Sequence, residues 1–166
     1  MRAQFPEILR IDGYPMAMCC EPLGAFFAQV VREPTFQPGR GCSRGYQAQW
    51  ELQDGRLYLI KLAGTLQNGR EVTVATFFPK TPDRVFASWY TGPLIEPDSS
   101  RSKYIPGSNC VYDCDLFIDI EMGLVSGAYL SRAGGPKDHQ AAAERYGTAR
   151  PFDSQPPSSS SVAATQ

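Results

Sequence analysis

Apolar and polar residues alternate along much of the chain, and the clearest alternation flanks two dipeptides that favour tight turns. Apolar runs lie on both sides of Asp54-Gly55 and of Asn68-Gly69. Such dipeptides are typical of two-residue hairpin loops, because both central residues of a type I′ turn need a positive φ. Residues 45–74 are therefore predicted to form a three-stranded antiparallel meander.

Counting outward from these two turns predicts which side chains share a face of the sheet. Trp50 lies opposite Leu59 in this register. Tyr46 lies opposite Ala63, which in turn faces Val74 in the third strand. Opposed residues point to the same side. The predicted apolar face consists of Tyr46, Ala48, Trp50, Leu52, Leu57, Leu59, Ala63, Val72 and Val74.

Further strands are predicted on either side of this meander. Residues 8–20 form a hairpin around Asp12-Gly13, with Pro15 on an edge strand because proline has no amide hydrogen for a ladder. Residues 84–91 form a fourth strand, which Gly92-Pro93 ends. Residues 23–31 fit either a short helix or a strand.

The stretch around residue 117 alternates with a period of two. One side of this predicted strand consists of Tyr112, Cys114, Leu116, Ile118 and Ile120. The other side consists of Asp113, Asp115, Phe117, Asp119 and Glu121. Residues 124–130 return antiparallel after a turn at Met122-Gly123, so the two stretches predict a further hairpin.

Together these elements predict a mainly β fold. We expect an antiparallel meander of about seven to nine short strands that forms a curled sheet, half-barrel or sandwich, with at most one or two short helices. The β-domain is predicted to cover residues 1–131. Residues 132–166 contain a hinge and a segment rich in Pro, Ser and Ala with little apolar bulk, which predicts a mostly disordered tail.

Charge and cysteine content narrow the classes of partner and compartment. The 166 residues include 16 basic and 17 acidic side chains, a balance that favours neither nucleic acid nor a membrane as partner. There is no apolar run of the roughly 18 residues that a membrane span needs, and the N-terminus lacks the apolar stretch of a secretory signal. Five cysteines, an odd number, then favour reduced thiols and a cytoplasmic location.

One long motif resembles the signature of a known family. The motif reads Arg44-Gly45-Tyr46-x-Ala48-x-Trp50-Glu51-x-x-Asp54-Gly55-x-Leu57-Tyr58-Leu59, and later blocks are Phe78-Pro79, Val85-Phe86-Ala87-x-Trp89, Asp115-Leu116-Phe117 and Gly123-Leu124-Val125. Over residues 14–127 the chain is similar to a family of small bacterial proteins, although Met122 stands where that family more often has Asn. The resemblance implies a bacterial source and a β-rich fold, and it implies no chemistry.

Four acidic residues give the strand around residue 117 its most unusual feature, a stripe of Asp113, Asp115, Asp119 and Glu121. Carboxylates two residues apart on a strand lie about 6–7 Å apart, and their charges repel. The stripe fits a docking face for a basic partner, a divalent-cation site, or a charged guard against edge-to-edge pairing. The Gly turn and closing Glu of a calcium loop are missing, so no metal and no cofactor is predicted.

The glycine-rich loop at residues 39–45 carries the other candidate residues: Arg40, Cys42 and Arg44. Its glycines and arginines could hold an anion, but a strand rather than a helix follows it, so a plain connecting loop is favoured. Cys42 is the one cysteine that we consider as a nucleophile. The single imidazole, His139, lies far along the chain, and no C-x-x-C motif is present for zinc.

These patterns favour a non-enzymatic cytoplasmic domain that binds another protein with a basic surface. Neutralisation of a basic toxin, as immunity proteins do, is one role of this kind. The alternative is a small-ligand-binding or weakly enzymatic half-barrel with a pocket near Tyr58, Ile60 and Trp89. The two interpretations differ in whether that face of the sheet is filled by side chains or left concave.

Overall fold

The structure is a computed structural model, and it describes residues 5–96, 115–131, 135–140 and 142. Within these residues the strands are β1 (Glu7–Ile11), β2 (Tyr14–Met18), β3 (Tyr46–Gln53), β4 (Arg56–Thr65), β5 (Glu71–Val72), β6 (Val85–Phe86), β7 (Gly92–Glu96), β8 (Asp115–Glu121) and β9 (Leu124–Ser131). The helices are α1 (Pro22–Phe27) and α2 (Val74–Phe77). The predicted mainly β fold with two short helices is confirmed.

All the described strands belong to one curled sheet. Its order is β2-β1-β3-β4-β9-β8-β7, with β5 and β6 also pairing with β4. The sheet is mixed, because β1 runs parallel to β3 while the other pairs are antiparallel. Its two edge strands approach each other where the Cys19 amide donates to the Ile95 carbonyl at 3.0 Å. The sheet therefore curls strongly without closing into a barrel, and Pro15 lies on an edge strand as predicted.

Three hairpins use the two-residue turns that the sequence predicts. The first central residues Asp12, Asp54 and Met122 have φ of 50°, 51° and 48°, and a glycine with positive φ follows each. This is the type I′ geometry, whose twist matches that of the strands it joins. The turn at Asn68-Gly69 is longer than predicted, because the Leu66 amide donates to the Arg70 carbonyl at 2.8 Å.

A bulge corrects the predicted register between β3 and β4. Trp50 pairs with Leu59 as predicted, but the register shifts between Gln49 and Trp50, so Tyr46 lies opposite Gly64 instead of Ala63. A Cβ atom at Gly64 would lie 2.8 Å from the Tyr46 Cβ atom, so only glycine fits there. As a result, Leu62 points into the core and Ala63 is exposed.

Two predicted strands are shorter than the apolar pattern suggested. The third meander strand stops at Val72, and α2 begins at Val74, where the Thr73 amide donates to the Thr76 hydroxyl at 2.9 Å. The predicted fourth strand pairs only at β6, and a new strand, β7, begins at Gly92, where we expected a break. Residues 23–31 fitted either a helix or a strand, and the first part of this stretch is helical in α1. Leu23 and Phe27 of this helix are buried.

The core fills the inside of the curl. Its fully buried side chains include Leu9, Trp50, Leu57, Leu59, Leu94 and Leu116. On β8 the residues Leu116, Ile118 and Ile120 are buried, which confirms their predicted face. The packing continues past the predicted domain end at residue 131, because Asp138 pairs with Leu130 and Ala142 joins the core. Residues 143–166, which form the remainder of the predicted tail, lie outside the described residues.

Candidate functional site

A buried carboxylate lies inside the curled sheet. Glu7 is on β1, two residues before Leu9, which pairs with Trp50 of β3. Glu7 is 1% exposed, and its Oε2 atom accepts a hydrogen bond of 2.5 Å from the Trp50 indole Nε1. Its Oε1 atom has no hydrogen-bond partner among the described residues and lies 3.5 Å from Arg44 Nε. Burial raises the pKa of Glu7 to about 8, although the Arg44 guanidinium and the Trp50 N–H lower it.

Arg44 connects this carboxylate to three other parts of the chain. Its side chain is 8% exposed. Nε donates to the Tyr46 carbonyl at 2.8 Å, Nη1 to Glu21 Oε1 at 3.1 Å and Nη2 to the Phe5 carbonyl at 3.1 Å. Arg44 therefore ties the start of β3 to the start of α1 and to the segment before β1. In the sequence, Arg44 stands out as part of the glycine-rich loop and of the motif that it begins, whereas Glu7 is not among the predicted site residues.

A cleft of about 370 Å³ opens beside this cluster. The residues that line it are Glu21, Gly24, Phe27, Glu33, Pro34, Thr35, Phe36, Arg44 and Tyr46. Three of its side chains are aromatic and pack on one another, with ring centroids 4.9 Å apart for Phe36 and Tyr46 and 5.5 Å apart for Phe27 and Phe36. The cleft thus combines an aromatic wall with one basic and two acidic side chains.

The acidic strand presents a second candidate surface, on the side of the sheet that faces away from the core. Asp119 and Glu121 lie on this side of β8, and Phe117 stacks on Tyr129 of β9 with ring centroids 5.0 Å apart. We call Phe117, Asp119, Glu121, Leu124 and Tyr129 the outer face of β8–β9. Asp113 and the side chain of Asp115 lie outside the described residues.

The position of β8 in the sheet removes one interpretation of its acidic residues. β8 pairs with β7 on one side and with β9 on the other, so it is not an edge strand. A charged guard against edge-to-edge pairing has its effect on edges. The acidic residues of β8 therefore have another role, or they form a solvated surface.

The turn that joins β8 to β9 exposes two large apolar side chains beside these carboxylates. Met122 is 65% exposed and Leu124 is 48% exposed. The turn itself is well anchored, because the Met122 amide donates to the Thr91 hydroxyl at 3.0 Å and the Gly123 amide to the Tyr90 carbonyl at 2.9 Å. This turn is a fixed, apolar projection next to Glu121.

In the glycine-rich loop, Cys42 and Arg44 are both engaged in contacts within the fold. The Cys42 thiol is buried and donates to the Tyr46 carbonyl at 3.0 Å, the same oxygen that accepts from Arg44. Arg40 is exposed, whereas the Arg44 side chain is only 8% exposed. His139 lies against β9, with its Nδ1 atom 2.8 Å from the Ala128 carbonyl and its ring against Tyr129.

The sheet separates Tyr58 from Trp89, two of the three residues of the predicted pocket near Tyr58, Ile60 and Trp89. Tyr58 lies on the outer side, where the Arg84 guanidinium covers its ring at 3.6 Å. Trp89 lies on the inner side, against Trp50 at 6.4 Å. The register explains this separation, because Tyr58 pairs with Phe86 whereas Leu59 pairs with Val85, and Trp89 lies on the side of the buried Val85 and Ala87.

No group of three His, Cys, Asp or Glu side chains in the described part of the chain could hold a metal ion. Among the same residues, no helix is long and apolar enough to cross a membrane. A comparison with family models found no match, and comparisons with curated proteins and with solved structures found none either. The resemblance to small bacterial β-rich proteins therefore stays a prediction.

Proposed function

We propose that the chain is a non-enzymatic bacterial binding domain that docks a protein with a basic surface on the outer face of β8–β9 and the adjoining Met122-Gly123 turn. The observation that carries the proposal is the exposure of Met122 and Leu124 directly beside Glu121. Protein interfaces combine an apolar centre, which provides most of the affinity, with a polar rim, which provides specificity and orientation. Neutralisation of a basic toxin is one function of this kind.

Charge complementarity defines the partner. The carboxylates of Asp119 and Glu121 lie on the same side of β8, and the field of such carboxylates speeds encounter with a basic surface. The matching partner surface has an apolar depression for Met122, bordered by Lys or Arg. We include a cytoplasmic location in the proposal, which the thiols of Cys20 and Cys42 support because neither is in a disulfide.

The choice of residue at Met122 also supports a role in binding. The corresponding turn positions of the other two type I′ hairpins are Asp12 and Asp54, and Asp and Asn tolerate positive φ better than other non-glycine residues. A methionine there weakens the turn and exposes an apolar side chain. Insertion of the Met122 side chain into a partner would account for this loss of stability in the turn.

Substitution of Met122 with asparagine tests this trade-off directly. We expect Met122→Asn to raise the free energy of unfolding by about 0.5–1 kcal/mol, because asparagine adopts the left-handed conformation more readily. Urea unfolding followed by tryptophan fluorescence measures the change. An unchanged or lower stability would contradict the strain that we assign to Met122.

Binding is tested by quantitative capture from extracts of the organism that encodes the chain. We expect the native protein to retain a basic protein at low salt and to release it as salt rises, because screening weakens the attraction. The double variant Asp119→Asn/Glu121→Gln and the single variant Met122→Asn should retain much less of it. Glu71→Gln, which removes an exposed carboxylate from β5, is the matched control and should behave as the native protein does. Equal capture by all four proteins would refute the proposal.

A further inference from the structure

We propose that the cleft beside α1 is a second binding site, which takes an organic cation: a guanidinium or alkylammonium group. The cleft lies between α1, the loop at residues 33–36 and the first residue of β3. Its volume of about 370 Å³ lies in the range of small-molecule sites, so it has room for such a group and for part of the molecule that carries it. The group belongs to a small molecule or ends an Arg or Lys side chain of a peptide, and both sources share the same chemistry.

The charges around the cleft favour a cation over an anion. Arg44 already donates to Glu21, to the Phe5 carbonyl and to the Tyr46 carbonyl. An anionic ligand would have to compete with these internal acceptors for the guanidinium. Glu21 balances the charge of Arg44, and the exposed carboxylate of Glu33 remains as the excess charge of the lining. A cation would find this excess negative charge at the rim.

The aromatic wall supplies the second element of cation recognition. A ring attracts a cation placed over its face within about 6 Å, and the attraction is stronger where water is excluded. The Arg44 guanidinium already lies 5.4 Å from the centroid of the Tyr46 ring, so a cation packs here within the protein itself. Phe27 and Phe36 extend the same wall around the cleft.

Gly24 supplies an independent indication that the cleft is kept open. Glycine is less favourable than alanine within a helix, and Gly24 lies inside α1. A Cβ atom at this position would meet only the Tyr46 hydroxyl, at 4.0 Å. Neither a close backbone contact nor a positive φ requires glycine there. Its missing side chain leaves space in the cleft beside the Tyr46 hydroxyl.

This site is separate from the outer face of β8–β9. Tyr46 is at the start of β3. The Met122-Gly123 turn lies near the other end of β3, next to the Asp54-Gly55 turn that follows this strand. The Val125 amide donates to the Gly55 carbonyl there. The two sites therefore lie at opposite ends of β3. The two proposals are tested with different variants, so a negative result for one site does not contradict the proposal for the other.

The test is a titration of the full chain followed by two-dimensional NMR. The probes are n-butylguanidinium, n-butylammonium and an uncharged-ended tripeptide with a central Arg, with butyrate as the anionic comparison. We expect saturable shifts of the Gly24, Thr35 and Tyr46 amides with the cations and none with butyrate. Saturation by the butyl cations but not by the tripeptide identifies a small-molecule site, and tighter saturation by the tripeptide identifies a site for a peptide side chain; both support the cation site.

Three variants decide whether the shifts come from the cleft. Gly24→Leu should abolish saturation by filling the cleft. Glu33→Lys, at an exposed position, should weaken binding by about 5-fold or more. Glu71→Lys makes the same charge change on β5 and should leave binding unchanged. The proposal is wrong if the cations produce no saturable shift, if butyrate binds as well as they do, or if Glu33→Lys and Glu71→Lys bind equally.

Discussion

Substitution of Trp50 with alanine should lower the free energy of unfolding by about 3–5 kcal/mol, the range for a large aromatic residue removed from a core. Trp50 is fully buried between Leu9 and Leu59 in the register of the sheet. The substitution also takes from Glu7 the hydrogen bond that its Oε2 atom accepts. Because domains of this size are stable by only about 5–15 kcal/mol, the loss threatens the whole fold.

Substitution of Trp50 with phenylalanine separates packing from hydrogen bonding. Most of the ring volume remains, but the Nε1–H that serves Glu7 is gone, and a buried polar group without its partner costs about 1–3 kcal/mol. Urea unfolding gives the free energy of unfolding of both variants. It is followed by far-UV circular dichroism instead of fluorescence, because each variant lacks one of the two tryptophans. A cost below about 1 kcal/mol for Trp50→Ala would mean that Trp50 is not part of the core.

A rise in pH from 5 to 8 should destabilise the protein, with Glu7 as the cause. The pKa of Glu7 is about 8 in the folded protein, against an ordinary value of 4.5. Between these two values the folded protein keeps a proton that the unfolded chain releases, so stability falls as pH rises. The fall is on the order of 1 kcal/mol per pH unit between these two pKa values. The contribution of Glu7 is fully present only below about pH 4.5 and is lost as the pH rises toward 8.

The variant Glu7→Gln isolates this effect. Glutamine retains an acceptor for the Trp50 indole but does not ionise, so the free energy of unfolding should change much less between pH 5 and 8. Glu71→Gln, at an exposed position on β5, should keep the slope of the native protein. Unfolding curves at each pH unit give the three slopes. Equal slopes for the native protein and Glu7→Gln would show that Glu7 does not carry the pH dependence.

The turns are the part of the fold that local sequence determines. Asp12-Gly13 and Asp54-Gly55 form two-residue turns because these residue types tolerate the positive φ that a type I′ turn needs. The pairing of Trp50 with Leu59 follows from counting along the strands. The alternation on β8 likewise determines which residues are buried, because successive side chains point to opposite faces.

Contacts between residues far apart in the chain determine the places where the register predicted by counting along the strands is wrong. The bulge beside Trp50 moves Tyr46 from Ala63 to Gly64, where a larger residue would strike the Tyr46 Cβ atom. Trp89 packs against Trp50, and its Nε1–H donates to the Pro22 carbonyl at 3.0 Å. Neither contact has a local sequence signal, because the partners are far apart in the chain.

By itself, the sequence determined the hairpins, the buried side of β8 and the mainly β class, since each depends on neighbouring residues. Only the tertiary structure decided that Glu7 is buried. One signal was present, because Glu7 continues the alternation of Leu9 and Ile11 toward the N-terminus. A carboxylate normally breaks such a pattern, since burying its charge is costly. It is held in the core because β1 pairs in parallel with β3, which places it beside Trp50 and Arg44, and that pairing joins residues some forty positions apart.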